Sequence, residues 1–377
     1  MNSRRNFLKA MGVVISGAAG LSGFQYRSLT DYSKHSGDNN LQLRFEPYEL
    51  QLRHIFTLAS GSRSTTPVML TFISYNGITG FGEASMPPYL GESHASAREF
   101  LSKVDLSNFS NPFLMEDILT YVDNIAPGNF AAKASVDIAL HDLVGKLMNQ
   151  PWHRIWGLNP DHTPDTSFTI GIDKPDVVIE KTKEASLYRI LKIKLGRGND
   201  REMIQAVRSV TNVPLGVDVN QGWNNREEAI ELIEWLGKQG VIYVEQPMSK
   251  TLIEDIAWIT SRSSVPIIAD EAVQGPSDVS KLAGIYSGIN IKLMKCGGMR
   301  AAFTMVNMAR ALNLKVMIGC MTETSCAVTA AAQLSPMADW ADLDGNLLIS
   351  NDPYEGIKIN EGRVIIPESP GIGIKKL

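Results

Sequence analysis

Past residue 40 the chain changes texture twice. Runs near 41–58, 67–76 and 79–84 alternate apolar and polar residues with the two-residue period of half-buried strands. Asn76-Gly77, between the last two runs, marks a tight hairpin. The stretch 59–67 (ASGSRSTTP) breaks the alternation and is expected to be a loop. Segments near 92–104, 113–125 and 129–149 then place apolar residues at helical steps. In the last of these, Ala131, Ala134, Val136, Ala139, Leu140 and Leu143 would share one broad face.

From about residue 166 the pattern becomes regular. Seven short apolar runs (SFTIGI, ILKIKLG, PLGVDV, VIYVEQP, PIIAD, INIKL and KVMIG) are each followed by an amphipathic helical segment, and a last strand is expected near 338–344. Strands alternating with helices at this spacing make parallel βαβ units. Seven units and a closing strand predict an α/β fold of the (β/α)7β, TIM-like barrel type. An open doubly wound sheet is the alternative, but it usually carries a Gly-rich dinucleotide loop after its first strand, and none is present.

Composition narrows the function. The chain has 377 residues, 44% of them hydrophobic and 20% charged, with a formal net charge of −4. That balance gives no support to nucleic-acid binding, which calls for a basic stripe. No internal run has the roughly 18 apolar residues of a membrane span. Three cysteines make no disulfide framework, and six histidines show no zinc-ligand spacing. At the N-terminus, Ser3-Arg4-Arg5-Asn6-Phe7-Leu8-Lys9 precedes an uncharged stretch from Met11 to Phe24. Paired arginines before a short apolar run predict a twin-arginine-type export signal over 1–26, with a polar linker over 27–40.

The ionisable residues at the strand ends carry the chemistry. Lys194, Asp218, Glu245, Asp270 and Lys292 end five successive predicted strands, 24, 27, 25 and 22 residues apart. In a barrel, strand ends share one mouth, where the chemistry of such folds resides. Three carboxylates converging there repel one another, and a bound divalent cation resolves the conflict. Oxygen-only ligands suit Mg²⁺ better than zinc. Cation and burial together are expected to depress a neighbouring lysine pKa toward a working base, and Lys192 should push Lys194 the same way. A base, a metal and an acid around one point suggest removal of a proton α to a carboxylate.

KIKLG, DVNQGW, VEQP, ADE and NIKLMKCGG, in this order, resemble the muconate-lactonising-type subgroup of the enolase superfamily. The resemblance implies an α+β capping domain, 41–160 with the C-terminal tail 345–377, over a catalytic barrel at 161–344. It makes Asp218, Glu245 and Asp270 the metal ligands, Lys194 the base on one substrate face, and Lys292, not Lys295, the base on the other. Alternation agrees, placing Lys295 in the Gly-rich turn. The subgroup also implies a homo-oligomer.

Subgroup members racemise, cycloisomerise or dehydrate, and substrate-binding residues separate these reactions. Asp342 and Asp344, two apart in ADLDGNLL, could hold a cationic substrate group from one side of an extended segment. They resemble the D-x-D motif of dipeptide epimerases, which implies 1,1-proton transfer on Xaa-Glu dipeptides of the L-Ala-D/L-Glu kind. Arg63, in the stretch where the family places a mobile specificity loop, could pair with a side-chain carboxylate. Tyr89 is expected to close over the site, and Met321 and Glu323 to line it. The alternatives are an N-acylamino acid racemase, an o-succinylbenzoate synthase or a muconate-type cycloisomerase; outside catalysis, an exported peptide-binding barrel. Export would place a dipeptide epimerase near cell-wall peptides.

Overall fold

The computed structural model describes residues 40–58 and 61–377. The expected signal segment, and the linker up to its last residue, lie outside the described residues. Three antiparallel strands come first: β1 (Gln42–Leu58), β2 (Gly61–Tyr75) and β3 (Ile78–Ser85), in that order across the sheet. Asn76 and Gly77 take positive φ at the β2–β3 turn, as the hairpin signal requires.

The expected loop at 59–67 is largely strand. Gly61–Pro67 continue β2 and pair with β1, Arg63 opposite Phe56, after a register shift between Gln51 and Phe56. Glycine and serine suggested a loop, but a strand partner was already in place, and Thr65 and Thr66 suit a pleated surface.

Helices α1 (His94–Leu101), α2 (Met115–Ile125) and α3 (Phe130–Met148) follow, and α3 lies against the sheet. Gly80 and Gly82 allow this approach: a Cβ at either position would strike the α3 backbone at Ala139 or Ser135. A four-residue helix, α4 (Trp152–Ile155), leads toward the barrel.

The barrel strands are β4 (Phe168–Ile170), β5 (Leu191–Lys194), β6 (Leu215–Asp218), β7 (Val241–Glu245), β8 (Ile267–Ala269), β9 (Gly288–Lys292), β10 (Lys315–Gly319) and β11 (Trp340–Asp342). They pair in sequence order, all parallel. A parallel bridge from Thr166 to Ala341 closes the ring. Between them run α5 (Pro175–Glu184), α6 (Asp200–Arg208), α7 (Arg226–Lys238), α8 (Ile253–Thr260), α9 (Pro276–Leu282), the short α10 (Leu293–Cys296), α11 (Met299–Ala311) and α12 (Ser325–Ala332). The floor is plugged by Tyr243, Ile268 and Met317, with Trp340 against the tyrosine ring at 5.3 Å. Gly216 makes this possible, since a Cβ there would overlap the Tyr243 ring.

The C-terminal tail returns to the first sheet. Leu52 bridges Ile349, and the Tyr48 hydroxyl donates to the Asn351 carbonyl at 2.6 Å. No helix among the described residues is long and apolar enough to cross a membrane.

Candidate active site

Strand parity delivers the charged residues to one place. In register, Lys192 lies opposite Gly216, Lys194 opposite Asp218 and Asp218 opposite Glu245. Side chains two apart on a strand share a face, so Lys192 and Lys194 both point into the barrel. Lys292 ends β9, four strands from β5, which puts the two strand-end lysines on opposite sides of an eight-stranded ring. A cavity of about 430 Å³ opens between them, lined by Lys194, Lys292, Asp270, Asp342, Asp344, Arg63, Tyr89 and Met321 among others.

Asp218, Glu245 and Asp270 form a buried triad whose ligand atoms lie within 4.8 Å of one another. Lysines surround it. Lys194 Nζ donates to Asp218 Oδ2 at 2.6 Å and Lys292 Nζ to Asp270 Oδ2 at 2.8 Å. Glu245 Oε1 accepts from Asn290 at 2.9 Å, while its Oε2 accepts no hydrogen bond, although Lys192 Nζ stands 2.7 Å away off the hydrogen-bonding line. A buried acidic triad with one carboxylate oxygen unsatisfied fits a hard divalent cation.

The protonation states follow from this crowding. Burial and the charge of Asp218 push Glu245 up to about 8, despite Lys192. Burial also raises Asp270 and Asp218, but the lysines outweigh it and both carboxyls sit below the usual range. In the metal-free protein the balance at Lys292 runs upward. Burial lowers its pKa, yet Asp270, Tyr89 and Glu245 more than compensate, and the net shift is well upward. The depression expected beside a bound cation is a property of the metal-loaded site.

Lys192, expected as a cationic neighbour of Lys194, is also held by three carboxylates. It is 1% exposed and reaches Asp342 Oδ2 at 2.6 Å and Asp218 Oδ2 at 3.4 Å, besides Glu245. Its pKa is raised well above that of a free lysine, the three carboxylates outweighing burial. Lys295 is not in a turn: it lies in α10, buried, donating to the Asp270 carboxylate, to the Asp270 carbonyl at 2.6 Å and to the Asn290 carbonyl at 3.1 Å. The helix starts one residue after Lys292, earlier than the following glycines suggested.

Asp342 and Asp344 both line the cavity, Asp342 as the last residue of β11 and Asp344 just beyond it. Asp342 is engaged by Lys192 and by the Ser167 hydroxyl at 2.8 Å; Asp344 Oδ2 accepts the Thr169 N–H at 2.7 Å. Burial and the charge of Asp342 raise Asp344 to about 6. Arg63 reaches Thr322 Oγ1 at 3.0 Å, and the Tyr89 hydroxyl meets the Met321 sulfur, so both approach the β10–α12 loop. Glu323 does not join them on the cavity wall. It is buried within its own loop, Oε1 accepting the Met321 N–H at 2.9 Å, and burial pushes it up to about 8.

Several residues escaped the sequence reading. Asn220 donates to Glu271 Oε1 at 3.1 Å beside the triad, and both line the cavity. Glu271 directly follows Asp270, which was the one available signal. The strand-end rule also passed over Glu83, Ser85 and Thr322, whose partners are more than 200 residues away in the chain.

A capped parallel barrel with a metal-competent acid triad between opposed lysines is the architecture of an enolase-type enzyme. Residues 45–157 match the mandelate racemase / muconate lactonizing enzyme N-terminal domain, and residues 177–376 match the enolase C-terminal domain-like family. The chain therefore belongs to the mandelate racemase/muconate lactonizing enzyme family of the enolase superfamily. It is 54% identical to the L-Ala-D/L-Glu epimerase of Bacteroides thetaiotaomicron, covering 100% of both chains. It is 38% identical to the L-Ala-D/L-amino acid epimerase of Pedosphaera parvula over 88% of this chain and 97% of that one. Among solved structures, the dipeptide epimerase of Enterococcus faecalis V583, complexed with Mg and L-Leu-L-Tyr, superposes with a TM-score of 0.84 at 30% identity. That match covers 89% of this chain and 99% of the other. The substrate-liganded L-Ala-D/L-Glu epimerase of Bacillus subtilis gives a TM-score of 0.82 at 28% identity, covering 89% and 98%.

Proposed function

We propose that the protein is a Mg²⁺-dependent dipeptide epimerase that inverts Cα of the second residue of Xaa-Glu dipeptides, L-Ala-L-Glu among them. The observation that carries this reading is the placement of Lys194 and Lys292 on opposite sides of one cavity whose wall also bears Asp342 and Asp344. One lysine removes the α-proton, and the other returns a proton to the opposite face. Asp344, with Asp342, receives the substrate ammonium. Arg63 faces the acidic side chain of the inverted residue.

Asp218, Glu245 and Asp270 would hold the cation. When bound, Mg²⁺ supplies positive charge that offsets these carboxylates and the negative charge building on the substrate carboxylate. Lys292 must leave Asp270 to reach the substrate. Lys192 stays beneath, balancing Glu245 and Asp342.

The enzyme is tested with Mg²⁺ and L-Ala-L-Glu in D₂O. Deuterium at the Glu Cα with loss of configuration is the expected result; absence of exchange across an Xaa-Glu series would remove the substrate assignment. Export through the Ser3–Lys9 segment is part of the same proposal and would bring the enzyme to cell-wall peptides. Fusion of residues 1–40 to a reporter, with Arg4 and Arg5 replaced by lysine, tests it. A homo-oligomer, expected from the resemblance, is tested by sedimentation.

A further inference from the structure

The strand β3 ends in Glu83-Ala84-Ser85 and grips the β10–α12 loop at two points. Glu83, fully buried, accepts the Thr324 N–H at 2.9 Å, the Thr324 hydroxyl and the Ala327 N–H at 3.3 Å. Thr324 is the N-cap of α12 and Ala327 lies in its first turn, where N–H groups lack intrahelical partners, so a buried carboxylate is well placed there. Two residues along β3, the Ser85 hydroxyl donates to the Thr322 carbonyl at 2.6 Å. The loop backbone is thus fixed on both sides of Glu323 from the capping sheet.

What this fixes is the direction of one hydroxyl. Thr322 is 3% exposed, and its Oγ1 accepts from Arg63 Nη2 at 3.0 Å. Arg63 comes from β2 and lines the same cavity as Thr322. A long guanidinium side chain loses much rotamer freedom when it must meet a carboxylate in one geometry, and a fixed acceptor removes part of that loss beforehand.

We propose that Thr322 is a positioning residue for substrate specificity: held by Ser85 and Glu83, its hydroxyl aims the Arg63 guanidinium at the side-chain carboxylate of the inverted residue. This rests on the reading of Arg63 given above. It makes the capping strand β3, none of whose residues lines the cavity, a determinant of the preference for an acidic residue.

The test compares kcat/KM for L-Ala-L-Glu with that for L-Ala-L-Gln, a substrate of the same shape without the charge, in the Mg²⁺-loaded full chain. Thr322→Val keeps the volume and removes the acceptor. The Glu/Gln preference is expected to fall about tenfold, mainly through KM, the effect of one hydrogen bond to a charged group. Thr322→Ser should restore it, and Glu83→Gln should lower it in the same direction as Thr322→Val. Arg63→Met separates the two layers. If it abolishes the preference while Thr322→Val leaves the ratio unchanged, the positioning role is wrong and the Arg63 reading stands. If Arg63→Met itself leaves the ratio unchanged, both are overturned.

Discussion

Lys192 Nζ lies 2.6 Å from Asp342 Oδ2, beneath the cavity floor, and the same ammonium is 2.7 Å from Glu245 Oε2. One buried cation thereby joins the acid triad to the aspartates assigned to the substrate ammonium. Removing one partner of a buried charge cluster leaves the others uncompensated. Lys192→Met is expected to destabilise the metal-free protein by about 3–5 kcal/mol in denaturant titrations. Mg²⁺ should recover part of this, because it replaces positive charge at Glu245 but not at Asp342. Unchanged stability would mean that the cluster is not balanced by Lys192.

Opposed bases make a prediction that a single-base enzyme does not share. Lys194→Gln and Lys292→Gln should each lower epimerisation by about 10³-fold, within the usual range for losing a proton-transfer group. Each variant should still exchange the α-proton of one epimer of the dipeptide with D₂O, and the two should choose opposite epimers. Identical exchange preferences in the two variants would contradict their placement on opposite faces.

Asp344 ties substrate binding to pH. Burial, then Asp342, raise it to about 6, so it is ionised above that value and able to hold an ammonium group. KM for L-Ala-L-Glu is expected to rise as pH falls through 6, a limb that Asp344→Asn should abolish while raising KM about 10- to 100-fold. An N-acetylated substrate has no ammonium and should show neither effect. Equal activity on N-acyl amino acids would favour the N-acylamino acid racemase alternative.

Stability should also depend on pH, with a definite sign. Burial first of all raises Glu83 to about 7, Glu323 to about 8 and Glu245 to about 8, from an ordinary 4.5. A carboxyl raised in the folded state contributes stability below its unfolded pKa and loses it as pH climbs through the folded value. Thermal unfolding of the metal-free protein is therefore expected to shift to lower temperature between pH 5 and pH 8. Asp218 and Asp270, shifted downward, act in the opposite sense and only below the ordinary 3.8. The stabilising increment from added Mg²⁺ should grow across the upper window, since a cation favours ionised Glu245. A flat profile in chelator would contradict the buried, raised carboxyls.

The five strand-end residues were legible because strand parity and the βα repeat are local properties. Once KIKLG is read as a strand, Lys192 and Lys194 must share a face, and the barrel makes that face the inner one. Loop and helix starts were less legible. Gly61–Pro67 looks like a loop until β1 supplies its partner, and Lys295 looks like a turn residue although α10 begins at Leu293.

The sequence by itself determined the order of elements, the barrel, the acid triad and the two opposed lysines, since each follows from the regular repeat of βα units along the chain. Only the tertiary structure decided what those charges do to one another. Lys192 meets Asp342 across 150 residues, Glu83 meets Thr324 across 241, and Arg63 meets Thr322 across 259. Closing the ring and seating the cap bring these groups into a buried interior, where desolvation and distant partners together set each pKa. In the metal-free protein this leaves Lys292 raised, the partners together outweighing its burial.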